Sequence, residues 1–114
     1  MMIEEIVKNH LVSCLGIPVV LERPENPPAE YVLIEKTGSG RKDHINTAVI
    51  AAQSYAVSMY QAAALNERTK AAMDRLAELP VIGKSALNSD YNFTDPDTKE
   101  YRYQAVYDLV YMEE

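Results

Sequence analysis

The chain of 114 residues has little of several residue types that mark special classes of protein. It contains one cysteine, Cys14, so no disulfide can form within the chain, and we expect a fold that is indifferent to redox state. It has no run of about 18 apolar residues and no leader-like start, and we expect neither membrane insertion nor export. Basic residues are also few: 11 Lys and Arg against 17 Asp and Glu give a formal charge of -6, which argues against binding to a nucleic-acid backbone.

Side chains that could carry chemistry are present, but they form no known constellation. His10 and Cys14 lie one helical turn apart, whereas a structural zinc site needs about four ligands and no CxxC or HxxxH pattern supplies the others. Counted from Asp90, a calcium loop would need glycine where Asp95 stands and glutamate where Tyr101 stands, and residues 38–42 lack the spacing of a P-loop. No serine lies in a nucleophile motif. We therefore expect no catalytic residue, no metal and no cofactor.

Apolar periodicity predicts two amphipathic helices. Residues 2–15 carry apolar side chains every three or four positions, and Gly16 follows as a helix stop. Residues 59–79 carry a second inward stripe, preceded by Ser58 and Gln61 at the spacing of a capping box. The length predicts one domain over residues 1–114.

Runs of residues that favour β-structure predict strands at residues 18–21, 30–37 and 46–57. A final hairpin is predicted from residues 84–93 and 100–112, on either side of a turn. Alanines in the segment from Thr47 favour helix, but one helix over 47–79 would be about three times the mean length. We therefore predict a strand there. The Gly38-Ser39-Gly40 sequence is expected to form a turn that leads into a polar loop, Arg41 to Asn46.

The last predicted strand alternates strictly between two faces. One face carries Tyr101, Tyr103, Ala105, Tyr107, Leu109 and Tyr111, and the other carries Arg102, Gln104, Val106, Asp108 and Val110. Since a buried tyrosine hydroxyl needs a partner, aromatic faces of this kind often lie at wet or intermolecular boundaries. We expect some of these tyrosines at a subunit contact.

These elements predict an α+β domain of two layers. A mixed or antiparallel sheet of four or five strands forms one layer, and two helices packed on one face of the sheet form the other.

The order of the elements, together with the strings at residues 30–35, 50–56, 63–65 and 101–107, resembles the tail terminator and tail-completion (head-tail joining) proteins of long-tailed bacteriophages and prophages. The resemblance implies a non-enzymatic structural protein that forms a homo-oligomeric ring, typically a hexamer, and meets the major tail and head-connector proteins. It also implies a place in the virion, after assembly in the cytoplasm of the host bacterium. No contact with nucleic acid or membrane is expected. The candidate residues for subunit interfaces are Arg41, Lys42, Asp43, His44, Tyr91, Phe93, Arg102 and Tyr103.

Two other functions remain open from the sequence. One is a small-molecule or peptide binding module of bacterial origin, which would use an open sheet edge or the Gly38 to Ile45 segment. The other is a small enzyme whose site forms where two subunits meet.

Overall fold

The computed structural model describes residues 2–112. Its elements are helix α1 (Ile3–Leu15), strands β1 (Val19–Val20), β2 (Tyr31–Lys42) and β3 (Ile45–Tyr55), helix α2 (Met59–Asp74), a 3-10 turn (Arg75–Glu78), and strands β4 (Ile82–Asn92) and β5 (Arg102–Met112). Among the described residues, no helix has the length and apolar character needed to cross a membrane.

The five strands form one mixed sheet in the order β1-β2-β3-β5-β4. β1 runs parallel to β2, and the other neighbours are antiparallel. Both helices pack on the same face of this sheet, where their apolar side chains form one cluster with those of the strands. The predicted fold, a two-layer α+β domain, is confirmed.

The core lies between the helices and the sheet. Its largest fully buried side chains are Tyr107, Ile3, Leu11, Ile34, Ile50, Leu65, Met73, Leu76, Leu109, Val7, Val32 and Thr69. Burying one side chain of this size contributes roughly 1.5–3 kcal/mol relative to leaving it exposed. Hydrogen bonds also join the layers: the Ser54 and Thr69 hydroxyls lie 3.2 Å apart, and Ser85 Oγ donates to the Met73 carbonyl over 2.8 Å.

The tyrosine face of β5 points into this core. Tyr107 is fully buried and Tyr111 nearly so. The Tyr107 hydroxyl lies 2.8 Å from Asp74 Oδ1, so its need for a partner is met within the subunit. Burial and this hydrogen bond raise the pKa of Tyr107. The expectation that this face lies at a wet or intermolecular boundary is wrong for Tyr107 and Tyr111, because the helices cover them.

The ambiguous centre of the chain is a strand followed by a helix, as predicted. β3 ends at Tyr55, and α2 begins at Met59. Ser58 has an extended backbone, and its Oγ accepts a hydrogen bond from the Gln61 backbone N–H over 3.1 Å. The α-helix ends at Asp74 rather than at residue 79, because the chain tightens into a 3-10 turn before Pro80.

We expect Ser58→Ala to lower the free energy of unfolding by about 1 kcal/mol, because it removes the acceptor for an otherwise unpaired N–H of the first helical turn. Urea denaturation measures the change. Ser13→Ala is the matched control, since Ser13 is exposed within α1 and caps no helix. Equal stability of Ser58→Ala and wild type would contradict a capping role.

The turn between β2 and β3 does not lie at the glycines. Gly38 and Gly40 lie inside β2, beyond a bulge that follows Lys36, and the chain reverses at Asp43 and His44. Their φ angles of 53° and 68° fit the left-handed residues that a two-residue hairpin turn requires, and Asp and His adopt this region more often than most residues.

The predicted polar loop from Arg41 to Asn46 is therefore wrong. Its first and last residues extend the two strands, with Arg41 opposite Asn46 and Lys42 opposite Ile45. The result is a long hairpin whose tip, Lys42 to Ile45, is exposed on all sides.

Candidate functional site

The face of the sheet opposite the helices is called the open face below. Val49, Val106 and Val110 belong to it, since their neighbours along β3 and β5 point into the core. Near β1, a smaller cluster of Tyr31, Leu33 and Tyr55 with Val20 lies on this face. No helix within residues 2–112 covers the open face.

One end of the open face carries an aromatic patch, which we define as Tyr55, Tyr91, Phe93 and Arg102. The guanidinium carbon of Arg102 lies 4.6 Å from the centroid of the Phe93 ring and 5.7 Å from that of Tyr55. Arg102 Nε donates to the Phe93 carbonyl over 2.7 Å. Tyr91 and Phe93 meet edge to face, with centroids 6.0 Å apart. These contacts place a cation between aromatic rings, an arrangement that is attractive in itself.

A chain of hydrogen bonds across three strands holds the patch. The Tyr55 hydroxyl donates to Gln53 Oε1 over 2.9 Å, and Gln53 Nε2 donates to Gln104 Oε1 over 2.8 Å. Gln104 Nε2 then reaches the Tyr91 hydroxyl over 2.6 Å. Because these hydrogen bonds orient the Tyr55 and Tyr91 rings within the subunit, binding through those rings would lose less side-chain entropy.

The other end of the open face is recessed. A trough of about 400 Å³ is lined by Gly38, Gly40, Thr47, Val49, Asp108, Val110 and Lys84, among others, and we call it the glycine trough. A Cβ atom built on Gly38 meets only Val49 Cγ2, at 3.9 Å, whereas one on Gly40 would lie 3.0 Å from Thr47 Oγ1. Ile45 and Met112, about half exposed, lie at the same end of the sheet. Glycines inside a strand often mark the close approach of a ligand or of another chain.

The structure divides the predicted interface residues into separate surfaces. Arg41, Lys42, Asp43 and His44 are exposed around the hairpin tip, near the glycine trough. Tyr91, Phe93 and Arg102 belong to the aromatic patch, which lies at the opposite end of β3. The length of β3 and the rise per residue of a β-strand put the two ends about 30 Å apart. Tyr103 is half-buried and points to the helix side, because its neighbours Arg102 and Gln104 lie on the open face.

Sequence reasoning missed Tyr55 and Gln53 as parts of a surface. It named the Gly38 to Ile45 segment as the surface of a binding module but placed Gly38 and Gly40 in a turn rather than in a strand. Alternation along the chain gives a usable signal, because Gly38 and Gly40 are two residues apart and so share a face, as do Gln53 and Tyr55. The pairing of Gln53 with Gln104 follows from strand register, which joins residues 51 positions apart.

Other polar clusters stabilise the fold. Lys70 Nζ lies 2.9 Å from Glu67 Oε2 and 2.9 Å from Asp90 Oδ2. The hydrogen bond to Glu67, followed by the one to Asp90, raises the pKa of Lys70. A lysine that acts as base or nucleophile needs a lowered pKa instead. His10 Nε2 donates to the Ala72 carbonyl over 2.8 Å and so ties α1 to α2. Within residues 2–112, no group of three or more His, Cys, Asp and Glu side chains could hold a metal ion.

A second concave site lies beside the smaller cluster. This cleft of about 330 Å³ is bounded by Pro27 and Pro28, by the stacked rings of Tyr31 and Tyr55, and by Tyr101. The Tyr31 hydroxyl is buried and has no hydrogen-bond partner among the described residues. Burial is the main cause that raises the pKa of Tyr31, and the neighbouring Tyr55 raises it further.

The chain was compared with protein-family models and with curated proteins, and neither comparison found a match.

Proposed function

We propose that this chain is a structural subunit of a phage virion: a tail terminator or tail-completion protein that assembles into a ring at the head-tail junction. The observation that carries the proposal is the preorganised aromatic patch on the open face. Tyr91 is 42% exposed and Phe93 39%; Gln104 Nε2 donates to the Tyr91 hydroxyl, and the Arg102 guanidinium lies over the Phe93 ring. Aromatic residues and arginine dominate the binding energy of protein interfaces.

The distribution of the surfaces supports a ring. The aromatic patch and the hairpin tip differ in chemistry and lie at opposite ends of the sheet. Where such unlike surfaces of identical subunits meet head to tail, the contact is heterologous, and it produces a closed ring when the rotation between subunits closes. Six subunits is the number that the resemblance to tail terminators implies.

In this proposal the hairpin tip is the joining element, both toward the neighbouring subunit of the ring and toward the major tail or head-connector protein. The tip projects from the end of a molecule that measures 44 × 25 × 24 Å. It carries Arg41, Lys42, Asp43 and His44, and charged side chains at a rim steer association and fix its orientation. The subunit acts by binding alone, without catalysis, in the host cytoplasm and then in the virion.

The charge of the tip is testable. We expect the double variant Arg41→Glu and Lys42→Glu to abolish tail completion, because it reverses two exposed charges at the proposed joint. Its melting temperature should stay within about 2 °C of wild type, since exposed substitutions change stability by roughly 0.5 kcal/mol or less. A phage complementation assay and a thermal melt measure the two quantities.

The matched control is Lys8→Glu with Arg75→Glu, which changes the same number of charges on the helix layer. This variant should complement normally. Virions of normal tail length and infectivity from the tip variant would show that the tip is not the joint. Intact tails after deletion of the whole gene would refute the terminator function itself.

The cleft beside Tyr31 favours a second candidate, a small-molecule or peptide binding module. Its volume of about 330 Å³ is at the small end for ligand sites, and an unpaired buried hydroxyl lies next to it. The mass in solution discriminates between the candidates. A mass that rises with concentration to a limiting ring favours assembly, and a strict monomer that binds a ligand at this cleft favours the module.

A further inference from the structure

We infer that the cleft beside Tyr31 binds a small ligand that carries a carboxylate on an apolar body, whether or not the subunits assemble into a ring. The cleft, called the tyrosine cleft below, lies between the segment Pro27 to Ala29 and the segment Lys99 to Tyr101. The stacked rings of Tyr31 and Tyr55 also line it.

The lining of the cleft suits an apolar body. Every residue that lines it, except Lys99 and Glu100, is a proline, alanine, valine or tyrosine. The rings of Tyr31 and Tyr55 are stacked, with centroids 4.5 Å apart and planes 3° from parallel. A ring or alkyl chain that displaces water from these surfaces gains the free energy of apolar burial. The volume of about 330 Å³ restricts the ligand to a small one.

The Tyr31 hydroxyl supplies a hydrogen-bond donor. Tyr31 is 2% exposed, and its hydroxyl has no partner among residues 2–112, whereas the Tyr55 hydroxyl donates to Gln53. Burial affects the pKa of Tyr31 most, but the charges of Arg23 and Glu100 also act on it, so the hydroxyl lies near this ion pair. Buried polar groups are nearly always paired, and an unpaired one beside a cleft therefore points to a ligand atom as its partner.

Lys99 supplies a positive charge. The charged residues that line the cleft are Lys99 and Glu100. Glu100 is engaged by Arg23, whose Nη1 donates to Oε1 over 2.6 Å and whose Nη2 contacts Oε2. Within residues 2–112, the Lys99 side chain takes part in no ion pair or hydrogen bond. The charge left over in the lining is thus positive, although the whole chain carries -6, and it attracts a carboxylate.

The backbone holds Lys99 in an unfavourable conformation. Its φ of 55° lies in the left-handed region, which glycine adopts freely and lysine rarely adopts. The Lys99 N–H donates to the Asp95 carbonyl over 2.8 Å, and Asp95 Oδ1 accepts from the N–H groups of Asp97 and Thr98. The turn therefore fixes the conformation. Strained residues of this kind cluster at ligand sites, which agrees with a binding role for Lys99.

Titration followed by heteronuclear NMR tests the ligand class. The probe is hydrocinnamate, and the matched control ligand is hydrocinnamyl alcohol, which keeps the apolar body and lacks the charge. We expect the acid to shift the amide signals of Tyr31, Val57 and Lys99 and to bind at least about 10-fold more tightly than the alcohol, the effect of one charge-assisted hydrogen bond. Equal affinities, no shifts up to about 10 mM acid, or shifts confined to another surface would each overturn the inference.

Substitution of Lys99 separates ligand binding from folding. Lys99→Gly removes the ammonium group but suits the left-handed φ, so its melting temperature should stay close to that of wild type. Its affinity for hydrocinnamate should fall at least about 10-fold. Lys99→Arg keeps the charge and is the control, which should still prefer the acid to the alcohol. Wild-type affinity of Lys99→Gly would contradict the role of the cation.

Tyr31→Phe tests the hydroxyl. It removes an unpaired buried polar group, so the protein should melt at or above the temperature of wild type. Hydrocinnamate should bind about 10-fold more weakly, because the donor to the carboxylate is lost. Tyr60→Phe is the control, since Tyr60 is exposed on α2 and does not line the cleft. A loss of stability with unchanged affinity would mean that the Tyr31 hydroxyl serves the fold and not a ligand.

A carboxylate on an apolar body occurs both in free acids and at the C-terminus of a peptide. N-acetylphenylalanine models the chain end and is titrated beside hydrocinnamate. Tighter binding of N-acetylphenylalanine would assign the cleft to a peptide terminus, and tighter binding of hydrocinnamate would assign it to a free acid.

The ligand and the proposed function fail separately. A protein that assembles and completes tails but shows no preference for the acid would refute only the carboxylate site. A protein that binds the acid at this cleft, stays monomeric at every soluble concentration and is dispensable for tails would refute only the terminator function.

Discussion

Replacing Tyr107 with alanine is expected to lower the free energy of unfolding by about 4 kcal/mol, the largest loss that we expect from any single substitution considered for this chain. The side chain is fully buried between sheet and helices, so its removal leaves a cavity. It also leaves Asp74 without the hydroxyl that lies 2.8 Å from it. Urea denaturation monitored by circular dichroism measures the change.

Two further variants separate the contributions to this loss. Tyr107→Phe keeps the ring and should cost about 1 kcal/mol, the net value of one hydrogen bond. Tyr60→Ala should change stability by less than about 0.5 kcal/mol, because Tyr60 is 83% exposed. If Tyr107→Ala were as mild as Tyr60→Ala, the tyrosine face of β5 would not be the core of the subunit.

Arg102→Ala is expected to weaken self-association by about 30-fold or more, since arginine at the centre of an aromatic interface is a typical hot spot. Arg102→Lys should restore little, because an ammonium group lacks the planar fork that stacks on Phe93 and also reaches its carbonyl. Sedimentation equilibrium measures the association constant. The same samples should be assayed for tail completion.

The unfolding free energy of Arg102→Ala must be measured alongside, because Arg102 also contacts Tyr55 within the subunit. Arg75→Ala is the control: Arg75 pairs only with Glu78 among the described contacts, and it lies on the helix side. A loss of stability with unchanged association would mean that Arg102 stabilises the fold and does not contribute to an interface.

The sequence predicted the elements that are specified locally. The cap at Ser58 depends on a residue three positions away, and the alternation along β5 lies within one strand. The hairpin turn was misplaced because glycines are the strongest turn signal, yet here the chain turns at Asp43 and His44. A pattern of turn residues cannot show where strand pairing will stop.

The surfaces of the open face were less predictable. Alternation separates the two faces of β5 but does not say which face the helices will cover. The expectation of a boundary was therefore made for the whole tyrosine face, although Tyr107 and Tyr111 are buried. The aromatic patch needs the register of β3, β5 and β4 together. Such register depends on contacts distant in sequence, which propensities do not contain.

The exposed outer half of β2 also has a consequence for motion. Val32 and Ile34 are buried at the base of the hairpin, whereas residues 39–42 have exposed side chains and include a glycine. Within residues 2–112, β1 pairs with β2 only at Val32 and Leu33. Amide hydrogens near the base should therefore exchange with solvent only on global unfolding, and those near the tip through local opening. A neighbouring subunit that binds the tip would slow amide exchange there.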